Sequence, residues 1–176
     1  MSGLERLRLL LHDGGGLMAT LLAPALDPVI DRAASPAVLA AEGPRAQGAR
    51  DEYELLVEAI YEGYLLHYGE PRVVLVPEAD LRLLAGDRLY AVGLARLVTL
   101  GDTEAVAELA DTITLSSLAQ GAGEQTLAQA VWSAGARAVG WGSSDAHRRA
   151  KQLLHDGSPD AIEAMRTSAM TVPRTP

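Results

Sequence analysis

Hydrophobic positions recur every three or four residues along most of this chain, which is the pattern of amphipathic helices. The clearest example runs over residues 51–68, where Asp51 is the predicted N-cap. At ~100° per residue, one side of this helix carries a stripe of aromatic and apolar side chains: Tyr53, Val57, Tyr61, Tyr64 and Tyr68. Three glutamates, Glu54, Glu58 and Glu62, lie next to that stripe.

Glycine, proline and capping residues divide the rest of the chain into further helices. The predicted helices cover residues 4–12, 17–25 (closed by Pro28), 77–100, 103–120, 127–141, a segment through Leu153 and Leu154, and a last segment that follows Gly157 and ends before Pro173. Strand character is confined to residues 72–76, a short run bounded by Pro71 and Pro77. The pattern therefore predicts an all-α fold, a helical bundle.

At 176 residues the chain is long enough for one domain with a substantial core and too short for two ordinary ones. We expect an N-terminal helical segment and linker over residues 1–50, because residues 42–50 have turn chemistry and no periodicity. A helical core is predicted over residues 51–170, followed by a frayed tail at 171–176.

Composition narrows the classes of function. A net charge of −8 and an isoelectric point near 4.9 disfavour nucleic-acid binding, because such a chain repels phosphate backbones. The absence of cysteine excludes disulfides and thiolate metal sites and fits a reducing cytoplasm. No apolar run approaches the ~20 residues of a spanning helix, and the N-terminus has no signal-peptide pattern. We therefore expect a cytoplasmic protein without a membrane span.

Besides the helical periodicity, the residues between positions 58 and 87 contain three short motifs in a specific order. It reads Glu58-Ala-Ile-Tyr-Glu62-Gly63, then Gly69-Glu-Pro71-Arg-Val73, then Leu84-Ala-Gly86-Asp87. This order resembles the centre of the trans-isoprenyl diphosphate synthases, whose motifs are Asp-Asp-x-x-Asp, Gly, Arg-Arg-Gly-x-Pro-Thr-Val and Leu-Ala-Gly-Asp. The resemblance covers residues 51–157 and implies a shortened form of the isoprenoid synthase fold.

Most of the reactive side chains of that family are replaced here. Glu58 and Glu62 stand for the first and last Asp of the Asp-rich motif, whereas His67 and Tyr68 stand for the two arginines and Gln125 for a lysine. The second Asp-rich motif has no counterpart. Ionisation of an allylic diphosphate requires Mg²⁺ held between two carboxylate clusters, with cations that neutralise the leaving group. Prenyl transfer by this chain alone is therefore not expected, and no cofactor is expected to be required.

Two sets of side chains are candidates for binding. Glu58 and Glu62, at i and i+4, could hold Mg²⁺ weakly or serve as paired carboxylates in general acid–base catalysis. An exposed acidic face next to Glu54 is the favoured interpretation.

The resemblance implies that Tyr61, Tyr64 and Tyr68 form the wall or plug of a hydrophobic tunnel for an isoprenoid diphosphate. A helix-packing or subunit surface is an equally supported interpretation of the same stripe. Asp87 is a ligand-binding candidate that could instead form a hydrogen bond within the bundle. One of Trp132 and Trp141, which lie on opposite sides of their helix, is a candidate anchor for a partner.

By resemblance, the leading hypothesis is a non-catalytic small regulatory subunit that pairs with a catalytic prenyltransferase chain. Gly86 and Gly93, on one face of the helix over residues 78–100, are expected to allow close approach of another helix. By the resemblance, this helix, including that face, would be part of the dimer surface. Two alternatives remain open. One is a minimal Mg²⁺-dependent enzyme that acts on an isoprenoid diphosphate through Glu58 and Glu62. The other is a helical protein that associates with itself and has no isoprenoid ligand.

Overall fold

The structure, a computed structural model, describes residues 1–24 and 35–171. Over these residues the architecture is all-α, as predicted, with no β-sheet. The described helices are α1 (Gly3–Asp13), α2 (Gly16–Thr20), α3 (Pro36–Ala41), α4 (Arg50–Tyr68), α5 (Ala79–Leu100), α6 (Thr103–Gly121), α7 (Gln125–Trp141), α8 (Asp145–His155) and α9 (Ala161–Met170).

Local capping chemistry explains where several of these helices begin and end. Ser2 and Glu5 form a capping box at the start of α1, and the side chains of Asp102 and Ser144 accept hydrogen bonds from the first turns of α6 and α8. Gly101 ends α5 with φ of 77°, a left-handed conformation that favours glycine. The predicted boundaries at residues 100–103 are therefore confirmed.

Helices α4 and α5 form the central pair of the bundle, and glycine allows their backbones to approach closely. A Cβ atom at Gly63 would lie 2.9 Å from the carbonyl oxygen of Gly86, and one at Gly93 would lie 2.8 Å from that of Leu56. The prediction that Gly86 and Gly93 belong to a dimer surface is therefore wrong. Both glycines face α4 of the same chain, because only glycine leaves room for that helix.

Helix α3 packs against both α4 and α7, and the main core lies where these helices meet α5 and α6. Its fully buried members include Ala37, Ala40, Leu56, Val57, Ile60, Leu97, Leu109 and Val139. Gly43 and Gly140 bring the chain after α3 into contact with the backbone of α7. Residues before position 50 thus contribute side chains to the same core as α4.

The sequence pattern missed some features of the N-terminal part. Helix α3 and a short 3₁₀ turn over Pro44–Ala46 occupy a region without apolar periodicity. Helix α4 begins at Arg50 with Ala49 as its N-cap, so Asp51 lies in the first turn and pairs with Arg6 rather than capping. The helix predicted over residues 17–25 ends at Thr20; residues 25–28 and the tail at 172–176 lie outside the described residues.

The segment between α4 and α5 bends at residues 72 and 73 and pairs through its backbone with the chain that follows α2. Val74 forms an isolated antiparallel bridge with Leu22, through hydrogen bonds of 2.8 Å from Ala23 N to Val73 O and from Leu75 N to Leu21 O. The strand character predicted for residues 72–76 corresponds to this bridge. Within residues 1–24 and 35–171, none of the helices has the length and apolar character needed to cross a membrane.

Candidate functional site

Three of the four glutamates of α4, Glu54, Glu58 and Glu62, point into the protein. Glu58 and Glu62 are 2% and 0% exposed, and Glu54 is buried as well. The expectation of an exposed acidic face is therefore wrong. A buried carboxylate must be paired and hydrogen-bonded to remain charged, so the surroundings of these groups decide what they can do.

Both carboxylate oxygens of Glu62 accept hydrogen bonds from residues 72–74, which follow α4. Its Oε1 accepts hydrogen bonds from the backbone N–H groups of Arg72 (2.6 Å), Val73 (2.6 Å) and Val74 (3.2 Å). Its Oε2 accepts a further hydrogen bond of 3.2 Å from Nε of Arg72. This carboxylate fastens residues 72–74 to α4.

Glu58 shares the same arginine. Arg72 Nη2 lies 2.6 Å from Oε2 of Glu58, and the hydroxyl of Ser35 donates a hydrogen bond of 2.6 Å to Oε1. Burial works against the charge of Arg72, but the neighbouring carboxylates of Glu58 and Glu62 outweigh it and raise the pKa of the guanidinium. Arg72 therefore stays protonated between two carboxylates.

Glu54 continues this network to the N-terminus of the chain. Its Oε1 accepts a hydrogen bond of 3.0 Å from the backbone N–H of Gly3, in the first turn of α1, and its Oε2 lies 3.1 Å from Nη1 of Arg6. The positive end of the α1 dipole thus adds to the charge of Arg6. We call Glu54, Glu58, Glu62, Arg6 and Arg72 the carboxylate–arginine cluster.

This geometry bears directly on the metal site predicted at Glu58 and Glu62. Each of their four carboxylate oxygens already accepts at least one hydrogen bond, and the cation between them is a guanidinium. Across the described ranges, no three or more His, Asp or Glu side chains are arranged to hold a metal ion. The cluster is suited to holding α1, α4 and residues 72–74 together.

The predicted tyrosine stripe forms an aromatic cluster with α7. Trp132, 2% exposed, lies with its ring centroid 4.9 Å from that of Tyr61 and 5.2 Å from that of Tyr64. Tyr68 extends the row at 5.5 Å from Tyr64 and is exposed at the end of α4. We call Tyr61, Tyr64, Tyr68 and Trp132 the aromatic cluster. Trp132 is an interior residue, so Trp141, half-buried beneath Arg137, is the remaining tryptophan for a partner surface.

Polar contacts fix two of these tyrosines. The side-chain amide of Gln120 donates a hydrogen bond of 2.6 Å to the hydroxyl of Tyr64. The guanidinium of Arg72 lies 5.0 Å from the ring centroid of Tyr61, so a cation–π contact joins the aromatic cluster to the carboxylate–arginine cluster. Burial is the main cause that raises the pKa of both phenols, which keeps them neutral.

Asp87 lies apart from these groups, on the other helix of the central pair. Its Oδ1 is 3.1 Å from Nε2 of His67, and its own side chain is largely exposed. The ring of His67 in turn stacks on Tyr90 at 5.3 Å. The structure therefore separates Asp87 from Tyr61 but brings it next to His67, which stands for an arginine in the resemblance.

Gln125 and Thr126, which take the place of a Lys-Thr pair in the resemblance, lie elsewhere again. They line a cleft of about 820 Å³ between the α6–α7 turn and the α8–α9 turn, together with Leu127, Leu154 and Ile162. The predicted ligand-binding residues are not brought into one cavity with them.

Sequence reasoning missed Arg72, Arg6 and Ser35 as members of the site. One signal was available: Glu54, Glu58 and Glu62 recur every four residues among apolar positions, and no Lys or Arg follows one at i+4 within that helix. If these glutamates are buried, their negative charges must be paired with cations from outside the helix. The positions of those cations, 48 and 14 residues away for the two arginines, could not be deduced from periodicity.

No protein-family model, curated protein or solved structure matches this chain.

Proposed function

We propose that this protein is a non-catalytic subunit of the isoprenyl diphosphate synthase type, which pairs with a catalytic prenyltransferase chain. The observation that carries the proposal is the occupation of Glu58 and Glu62. Where the resemblance places metal-binding carboxylates, an arginine with a largely covered side chain takes the place of the metal. A guanidinium in this position repels a divalent cation at close range.

The same observation gives less support to a minimal Mg²⁺-dependent enzyme. Metal binding at Glu58 and Glu62 would require Arg72 to leave both carboxylates and would strip Glu62 of three backbone N–H donors. Each step leaves a buried polar group without its partner, which costs about 1–3 kcal/mol per group.

The aromatic cluster supports a structural role for this protein rather than a catalytic one. Tyr61, Tyr64 and Trp132 contact one another and fill the space between α4 and α7. In this proposal they act as a plug in place of a substrate tunnel. Tyr68, at the exposed end of the row, is the member that could reach a partner or its product.

The exposed face of α5 is the surface that we assign to the partner. Leu84 and Val98 are 65% and 63% exposed, and the exposed Ala91 and Ala95 lie between them on the same side of the helix. Residues at i, i+7 and i+14 form a nearly straight apolar stripe, which is a common basis of helix pairing between subunits. Gly86 and Gly93 lie on the opposite, α4-facing side.

The test is capture of partners from the source cell lysate with tagged protein, followed by reconstitution of the purified pair. We expect a chain with both Asp-rich motifs, and a pair whose product length or turnover differs from that of the catalytic chain alone. Leu84→Glu with Val98→Glu should abolish capture, whereas Met170→Glu, a change at a still more exposed residue of α9, should leave it intact. Recovery of only this protein would favour self-association and contradict the proposal.

A further inference from the structure

A separate crevice of about 340 Å³ lies between α1, α2 and α5. Its walls are almost entirely apolar. They are formed by Leu10, Leu11, Gly14, Gly15, Leu17, Met18, Val92 and the side chain of Arg88.

Arg88 is the one charged side chain among these lining residues. It is exposed, and within residues 1–24 and 35–171 it forms no hydrogen bond or ion pair. Most arginines of the described chain are bound to carboxylates or carbonyl oxygens, as Arg6, Arg72 and Arg82 are. An unpaired cation at the edge of an apolar crevice is complementary to an anion that carries an apolar chain.

The cover of the crevice is α2, which has no packed interior of its own. None of its residues is buried, and its apolar side chains Leu17 and Met18 face the crevice. Gly15 precedes α2 and Gly16 begins it, with φ of 63° and 66°, where glycine is needed. After α2, Leu21 and Ala23 are joined by backbone hydrogen bonds to residues 73–75. A short cover with one side chain, Met18, packed against the core can adjust to an occupant at little cost.

We propose that this crevice binds one medium-chain amphiphile with an anionic head group, such as a fatty carboxylate. The head group contacts Arg88, and the chain lies between Leu10, Leu11 and Val92 beneath Met18. The volume, at the low end of the ~300–1,000 Å³ of small-molecule sites, suits a single chain. Met18 adds a flexible apolar surface that adapts to the shape of the occupant. The proposal does not depend on pairing with a prenyltransferase.

Titration calorimetry with decanoate, below its micelle concentration, tests this site. We expect saturable binding of one decanoate per chain, at least tenfold tighter than that of decyltrimethylammonium. Arg88→Gln should weaken decanoate binding about tenfold, because a charge-assisted contact is lost. Arg149→Gln, a change at an exposed arginine of α8, is the matched control and should leave binding unchanged.

Two further measurements locate the ligand. Val92→Trp should fill the crevice and abolish binding; Leu17→Trp, at a more exposed position of the cover, serves the same purpose if the first variant fails to fold. In NMR spectra of the unmodified protein, decanoate should shift the methyl signal of Met18 and not that of Met165, which is buried in α9. Absence of saturable binding, equal binding of the cationic probe, or an unmoved Met18 signal would overturn the proposal.

Discussion

Arg72 is the residue on which the buried glutamates of α4 depend. Its guanidinium contacts Glu58 and Glu62 and also lies over the ring of Tyr61, which connects the charged groups to the aromatic cluster. Arg72→Met should lower the free energy of unfolding by about 3–5 kcal/mol, because two buried carboxylates lose their cation. Urea denaturation at neutral pH measures this change.

Two further variants serve as controls for Arg72→Met. Arg149→Met removes an exposed arginine and should change stability by less than about 0.5 kcal/mol. Adding Glu58→Gln to Arg72→Met should restore part of the loss, because one of the unpaired charges is also removed. If Arg72→Met is as stable as Arg149→Met, the buried ion pairs do not form.

Glu108 carries a second charge network, and this one makes stability depend on pH. Although burial acts in the opposite direction, the hydrogen bond with His147 and the charge of Lys151 lower the pKa of Glu108 to about 2 from 4.5. A carboxylate whose pKa is lower in the folded state stabilises the fold above the unfolded pKa. That contribution is lost as the pH falls from about 4.5 to about 2.

Glu108→Gln should therefore destabilise the protein by about 1–2 kcal/mol at pH 7, after allowance for solvent screening. The gap between variant and parent should close as the pH approaches the folded pKa. Urea denaturation of both proteins over a series of pH values provides the comparison. A gap that stays constant down to pH near 2 would contradict the assignment.

At the scale of elements, the contact between α4 and α5 depends on glycine. Gly93→Ala should destabilise the protein by about 1–3 kcal/mol, because the added methyl group meets Ile60 and the backbone of Leu56. The intrinsic helix preference of alanine, worth about 1 kcal/mol, acts in the other direction and is outweighed.

The matched control lies at the end of α6, where a Cβ atom at Gly121 would meet nothing within 4 Å. Gly121→Ala should be neutral or stabilising by up to about 1 kcal/mol. Thermal and urea denaturation of both variants report the difference. Equal effects at the two positions would mean that α4 and α5 do not approach as closely as described.

At the scale of the whole molecule, the α5 stripe distinguishes assembly from folding. Leu84→Glu combined with Val98→Glu places two charges on an exposed apolar surface, so the melting temperature should change by only a few degrees. Sedimentation should nevertheless show loss of association, with the captured chain or with a second copy, because charges at a pairing surface are strongly unfavourable. Unchanged sedimentation would place the interface elsewhere.

Local sequence patterns predicted the all-α class and those helix ends that depend on nearby residues. The C-terminal end of α5 and the start of α6 follow from Leu100-Gly101-Asp102, since a left-handed glycine and a side-chain cap act within a few residues. The all-α class follows from apolar periodicity. Helix α3 was missed because its alanine-rich segment shows no periodicity, and its burial depends on α4 and α7.

The carboxylate–arginine cluster illustrates the opposite case. The sequence by itself placed Glu54, Glu58 and Glu62 on one side of a helix, because a 3.6-residue period fixes their relative positions. It could not determine whether that side meets water or protein. Only the tertiary structure decided this, by bringing Arg6, Ser35 and Arg72 from distant positions to the three carboxylates. The physical reason is that a buried charge is stable only when paired, and the pairing partners are contacts between elements.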